Sequence, residues 1–423
     1  MLRTRLGIAA AVGALLAGVV VMPAAAQDKG TLKIGITLPL SGAARADGGP
    51  AERGAQLAVD QAKEAGGIGG YMFETVVLDH AVNGQYNAAQ GAADMQTLAN
   101  DPNVIGVVGP YNSDVAAAQI PISNAAGLLQ CSPANTRIAL TKLPDALTYR
   151  PTKPDAISYI RVAASDAFQG PGVADYAYNK LGLRNIFVLD DQTGFGVGVS
   201  DTFQAQFELF GGSITRQGAA PDTTDFTGVV SQIPPDADGV FYGGVTSSGG
   251  GLFQKQLRQA GNVATFLGPD GIKNGSGNDE GSQIQIAGID AAAGTVASVA
   301  AISDFEGRQD FEAEYAEHFK DAPDFKTAGA YSGPAHACAS VILQALTAVL
   351  EATPDADLAT IREAVRAYST DSANTFDTVL GPESFDEFGD TTLKFISFFV
   401  VDPELAEGAG DWVFVEQRQY GEG

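Results

Sequence analysis

The chain has 423 residues, with 50 Asp and Glu against 25 Lys and Arg, a net charge of −25, two cysteines and three histidines. A surface this acidic repels nucleic-acid phosphates and anionic lipid, which argues against both as partners. Two cysteines are too few for a disulfide-stapled scaffold, and His80, His318 and His336 are scattered, so no metal site and no histidine-centred catalytic group is expected.

Arg3 and Arg5 precede the apolar run "LGIAAAVGALLAGVVVM", and Ala24-Ala25-Ala26 stands before Gln27. This is the order of a secretory signal, with the mature chain expected to begin near Gln27 as a soluble, exported protein. The apolar run lies at the short edge of what spans a bilayer, no cysteine follows it to carry a lipid, and no later apolar run is expected to cross a membrane. The residues after the signal exceed what one hydrophobic core holds, so two domains are expected.

Strand and helix patterns then alternate. "LKIGITLPL" (32–40) reads as a strand, and Ala55, Ala58, Val59 and Ala62 lie on one helical face that stops at Gly66-Gly67. "FETVVLD" (73–79) is a second strand, 87–100 a second helix, "VIGVVG" (104–109) a third strand, 113–126 a third helix and "LLQCSP" (128–133) a fourth strand. Residues 141–156, rich in Pro and Asp, break the rhythm as a linker or excursion does. Beyond them, strands 185–191, 238–244 and 265–270 alternate with helices 197–210 and 252–260. Single helices between strands imply βαβ crossovers, parallel sheets and a ligand crevice at the carboxyl ends of the strands, in two α/β lobes of similar size.

Several motifs fail on inspection. "GFGVGV" (194–199) follows a strand but carries Val199 where a dinucleotide-binding loop needs its third glycine, and no phosphate loop or G-x-S-x-G elbow occurs. "NGSGNDEG" (274–281) lacks the ligand order of a calcium loop and reads as a solvated turn. An exported enzyme would need a nucleophile with its base, or a metal cluster, and neither is present. In an oxidising compartment Cys131 and Cys338 can pair or stay apart, and the sequence leaves both open. The stretch "VVGPYNSD" is more promising. A strand hands over to a helix at Asn112 and Ser113, offering a hydroxyl and helix N-terminal N–H groups to an anion.

Read together, "LPLSG", "ERGAQLAVDQAKEAGGIGG", "VVGPYNSD", "SPANT", "FQGPGVADY", "DGVFYGG", "LRQAG", "FLGPDG" and "FDTVLGPESFDEFGD" occur in an order that resembles the periplasmic Leu/Ile/Val-binding protein family of ABC transporters. The resemblance covers nearly all of the mature chain, with insertions near 141–156, 246–250 and 272–284. It implies the type I periplasmic binding protein fold, two doubly wound lobes joined by a three-strand hinge crossing near 160–163, 300–303 and 383–388. The lobes would comprise residues 27–161 with 302–384, and 162–301 with 385–423.

It further implies a periplasmic receptor without catalysis or cofactor that carries a small amino acid to an inner-membrane permease as a monomer. By position, Ser113, Ala134 and Thr136 would hold the ligand carboxylate, Asp270 its ammonium, and Phe195 and Tyr331 would wall it. Tyr111 and Asn112 replace small or apolar residues of the family, Asp47 and Val245 stand where aromatics are frequent, and Asp270 replaces a Glu. These departures leave an amide, a urea or an aromatic carboxylate open as alternative ligands.

Overall fold

The computed structural model describes residues 29–421, so the expected signal lies outside the described residues. The first sheet is built from β1 (Gly30–Leu38), β2 (Tyr71–Asp79), β3 (Val104–Val108), β4 (Leu129–Ser132) and β5 (Tyr159–Arg161), in the order β2-β1-β3-β4-β5 and parallel throughout. All five residues of β3 are buried, as a strand covered on both faces requires. Ile105 and Val108 join one core, and Val104 and Val107 another. Helices α1 (Arg45–Glu64), α2 (Ala88–Asn100) and α3 (Ser113–Ala126) make the crossovers.

The second sheet contains β6 (Asn185–Asp190), β7 (Ser213–Gly218), β8 (Gly239–Gly243), β9 (Thr265–Gly268), β10 (Val296–Val299), β11 (Phe395–Asp402) and β12 (Asp411–Gln419). Its order is β12-β11-β10-β9-β8-β6-β7, parallel from β6 to β10 and closed by the antiparallel pair β11 and β12. Helices α4 (Asp166–Asp175) and α5 (Gly194–Leu209) pack together beside it, and α6 (Gly250–Gln259) joins the core that holds Phe253 and Leu257.

Between β10 and β11 the chain returns to the first sheet through α7 (Arg308–His318), α8 (Ser332–Ala352) and α9 (Leu358–Ser369). Although no membrane-crossing run was expected there, α8 is long and apolar enough to be one. It is instead the central packing helix, mostly buried against α1 and α9. Cys338 on α8 is disulfide-bonded to Cys131 on β4, which settles the pairing that sequence left open.

Helix α1 begins at Arg45, well before the periodic segment that opens at Ala55, and takes in Gly48, Gly49 and Pro50. Gly48 is there for close packing: a Cβ would stand 2.0 Å from the Pro39 carbonyl. Residues 141–156 form short 3-10 turns rather than a sheet element.

Three segments cross between the sheets. The Ala164 N–H donates to the Ala300 carbonyl at 2.7 Å, and the Thr391 N–H to the Arg161 carbonyl at 3.0 Å. Arg161, fully buried, places Nε 2.7 Å from Asp390 Oδ1 and spends its other donors on Asn135, Arg137 and Thr141. Its hydrogen bonds to the Asn135 and Arg137 carbonyls tie the hinge to the turn that follows β4.

Candidate functional site

The carboxyl ends of β3 and β4 carry two turns that hold each other. Ser132 Oγ donates to the Pro110 carbonyl at 2.7 Å and accepts from the Asn135 N–H at 2.9 Å, and Asn135 Nδ2 donates to the Tyr111 carbonyl at 2.7 Å. Gly109 is needed at this junction, since φ is 120° and a Cβ would lie 2.2 Å from the Thr37 carbonyl. Ser113 opens α3, whose first N–H groups have no intrahelical acceptor. Its hydroxyl accepts from the Arg137 N–H at 3.4 Å, which leaves its proton to donate elsewhere. Asn112 is held by His80, with Nε2 3.4 Å from Asn112 Oδ1, and burial pushes that imidazole down to about 4, so it is neutral at pH 7.

Asp270 follows β9 in the opposite lobe and is buried. Oδ1 accepts from Gln169 Nε2 at 2.9 Å and Oδ2 from the Tyr331 hydroxyl at 2.5 Å. Burial raises the carboxyl to about 6 despite these donors, so it is ionised at neutral pH but near its titration range. Tyr331 comes from the first lobe and meets Tyr111 edge to face, with ring centroids 5.3 Å apart.

The lobes are therefore in contact around this point. Asp114 Oδ2 accepts from the Gly194 N–H at 3.0 Å, and Asn274 Nδ2 donates to Asp47 Oδ1 at 2.9 Å. A Cβ at Gly194 would sit 2.3 Å from Asp114 Oδ1, so glycine is what allows that approach. Asn274, expected in a solvated turn, is 4% exposed, because the turn it begins is the second lobe's contact with Asp47.

One cavity of about 20 Å³ is lined by Ser113, Ala134, Thr136, Phe195, Asp270, Tyr111 and Asn112, together with Tyr86, Val245 and Gly271. The structure thus brings seven of the eight residues singled out from sequence around a single space. The eighth, Tyr331, does not line it but lines the neighbouring cavity of about 150 Å³, along with Asp47, Tyr111, Lys273, Asn274 and Phe325. Two residues were missed. Tyr86 arrives on a two-residue strand with no periodic pattern, while Gln169, which donates to Asp270, lies in "SDAFQG", which looks like an ordinary helix start. Among the described residues no group of three or more His, Cys, Asp or Glu is placed to hold a metal ion.

Residues 31–395 match the family described as periplasmic binding protein. The chain belongs to that family. It is 30% identical over 286 residues to the Leu/Ile/Val-binding protein BraC3 of Rhizobium johnstonii, covering 67% of this chain and 70% of that protein. It is 27% identical over 373 residues to the leucine-, isoleucine-, valine-, threonine- and alanine-binding protein of Pseudomonas aeruginosa, covering 88% and 90%.

Two solved structures show the same fold. The substrate-binding protein LivJ of Streptococcus pneumoniae in complex with isoleucine has a TM-score of 0.71 at 22% identity, over 91% of this chain and 100% of that one. A solute-binding protein of an ABC transporter from R. palustris in complex with 4-hydroxybenzoate has a TM-score of 0.73 at 19% identity, over 92% and 97%. The periplasmic binding protein family therefore accounts for both sheets, and its relatives are solute-binding proteins rather than enzymes.

Proposed function

We propose that this periplasmic binding protein is a soluble, exported and monomeric receptor, which captures a small amino acid of branched-chain type and delivers it to an inner-membrane ABC permease. The ligand carboxylate rests on the Ser113 and Thr136 hydroxyls and the backbone of Ala134, and the α3 N-terminus favours its charge. Its ammonium pairs with Asp270. Phe195, Tyr111, Tyr331 and Asn112 surround the remainder. The lobes that close on it comprise residues 27–161 with 302–384, and 162–301 with 385–423, and no catalysis occurs.

The observation that carries this reading is one cavity lined by hydroxyl donors from the first lobe and a buried carboxyl group from the second. At about 20 Å³ it has room for about one water molecule, so the ligand enters with the lobes parted. A side chain then extends past Tyr111 and Tyr331 toward the 150 Å³ cavity. The three aromatic rings favour a second reading, an aromatic carboxylate such as the 4-hydroxybenzoate named for the R. palustris neighbour. Asp270 opposes it, because a buried carboxylate without a cation partner is costly.

Thermal-shift titration separates the two readings, since a ligand that binds the folded state raises the melting temperature. L-Leucine, L-isoleucine or L-valine should stabilise the protein while their deaminated acids and 4-hydroxybenzoate do not. Stabilisation by the acids alone overturns the amino-acid reading.

A further inference from the structure

The chamber of about 150 Å³ beside the head-group cavity carries charge in its wall, where an aliphatic side chain is best met by apolar groups. Two of its side chains have hydrogen-bonding capacity to spare. Asp47, in the first turn of α1, is 5% exposed; its Oδ1 accepts from Asn274 Nδ2 at 2.9 Å, and no described residue donates to Oδ2. Lys273, which follows β9, holds its ammonium 4.7 Å from the centre of the Phe399 ring and has no hydrogen-bond or ion-pair partner among the described residues. The two do not neutralise each other. Burial is the largest influence on both, pushing Asp47 up to about 7 and Lys273 down to about 8, and the charges that reach them differ: Asp270 acts on Asp47, and Asp411, Arg308 and Glu312 act on Lys273. Tyr111 lines both cavities, and after burial the charges of Asp47 and Asp270 raise its hydroxyl further, so both acids lie within reach of that ring.

This wall is built in advance. Lys273 and Asn274 belong to the insertion at 272–284, and the hairpin of β11 and β12 pins that insertion in place. Trp412 Nε1 donates to the Asn274 carbonyl at 3.1 Å, and the Gly277 N–H to the Gly410 carbonyl at 2.9 Å. A Cβ at Gly277 would lie 1.9 Å from the Ala409 carbonyl, so the two loops are in direct contact. Asp279, the acid nearest in sequence, turns back on Ser276 and accepts from its N–H at 2.6 Å and its hydroxyl at 2.8 Å. The chamber thus presents one free acceptor on Asp47 and one free donor group on Lys273.

We propose that this chamber reads the far end of the ligand's side chain, and that Asp47 and Lys273 admit, alongside the branched-chain amino acids, one whose side chain ends in a carboxamide, as in L-glutamine. This rests on the amino-acid reading above and deepens it. A primary amide carries two N–H donors and a carbonyl acceptor, the complement of what the chamber leaves unused. Its NH2 donates to Asp47 and its oxygen accepts from the Lys273 ammonium. Lys273 also lines a neighbouring cavity of about 70 Å³, which gives its flexible stem room to swing from Phe399 to the amide. A carboxylate in the same place meets Asp47, and an ammonium meets Lys273, and each sets like charges together in a buried space. An aliphatic end satisfies neither group.

Calorimetry of the full mature chain tests this with L-glutamine, L-glutamate, L-lysine and L-leucine. Glutamine should bind at least as tightly as leucine, and about tenfold or more tighter than glutamate and lysine. Asp47→Asn turns an NH2 toward the chamber in place of the free acceptor, and Lys273→Met keeps the stem while removing the ammonium. Each should lower the ratio of glutamine affinity to leucine affinity by about tenfold or more. The wild-type panel needs no variant, so the test stands even where a variant folds poorly. Leucine bound without glutamine, glutamate bound more tightly than glutamine, or a ratio that neither variant moves overturns the carboxamide chamber while leaving the amino-acid reading intact. If no amino acid binds and only acids such as 4-hydroxybenzoate do, the amino-acid reading falls and this inference with it.

Discussion

Replacing Asp270 by Asn removes the ligand's principal counter-charge while keeping the side chain's shape. The carboxyl group accepts from both Gln169 Nε2 and the Tyr331 hydroxyl, whereas an amide has one oxygen to offer. Its NH2 must turn toward one of two donors, so one protein hydrogen bond is lost along with the charge. A hydrogen bond to a charged group is worth about 1.5 to 3 kcal/mol, and about 1.4 kcal/mol is tenfold in affinity. Asp270→Asn should therefore weaken L-leucine binding by about 10- to 150-fold in calorimetry. 4-Methylpentanoate, which lacks the ammonium and is not expected to bind the wild type, should bind the variant no worse, since a buried negative charge no longer opposes the carboxylate. Leucine affinity unchanged in Asp270→Asn would show that Asp270 does not read the ammonium, and would refute the argument.

Ser113→Ala should weaken the same amino acid by about tenfold or more, measured by calorimetry, with the melting temperature of the free protein nearly unchanged because the side chain accepts only one long bond. Asp390→Ala leaves the buried Arg161 guanidinium unpaired and should cost about 3 to 5 kcal/mol in denaturant unfolding. Burial opposes the Asp390 charge, but Arg161 prevails and holds the carboxyl well below the usual carboxylate range. Its stabilisation is therefore complete above the unfolded carboxylate pKa and fades as pH falls from about 4 toward the folded value. Reducing the Cys131–Cys338 bridge, which closes a separation of 207 residues within the first lobe, should lower stability by about 2 to 5 kcal/mol, read as a fall in melting temperature with reductant.

Much of the fold was legible because its strands are buried on both faces. A run such as Val104–Val108 has no competing helical pattern, and the strand-to-helix turns at Asn112–Ser113 and after Ser132 carry their own polar signals. The turns that carry Ser113 and Thr136 to the cavity could be picked out for the same reason. What stayed hidden depends on tertiary proximity. Gly48, Gly49 and Pro50 look like a loop until Pro39 and Phe325 are packed against the two glycines, and Asn274 looks solvated until Asp47 arrives from the other lobe. Helix α8 passes for a membrane span by length and composition, and only its burial shows it to be a core helix.

The central claim is that a zwitterion lies across the cleft, its carboxylate on the Ser113 side and its ammonium on the Asp270 side. A crystal structure of the protein with L-leucine tests this most directly. The account predicts carboxylate oxygens within hydrogen-bond distance of Ser113 Oγ and Thr136, and the ammonium within the same distance of Asp270. Leucine bound in the reverse orientation, or outside the cavity that these residues line, would contradict it.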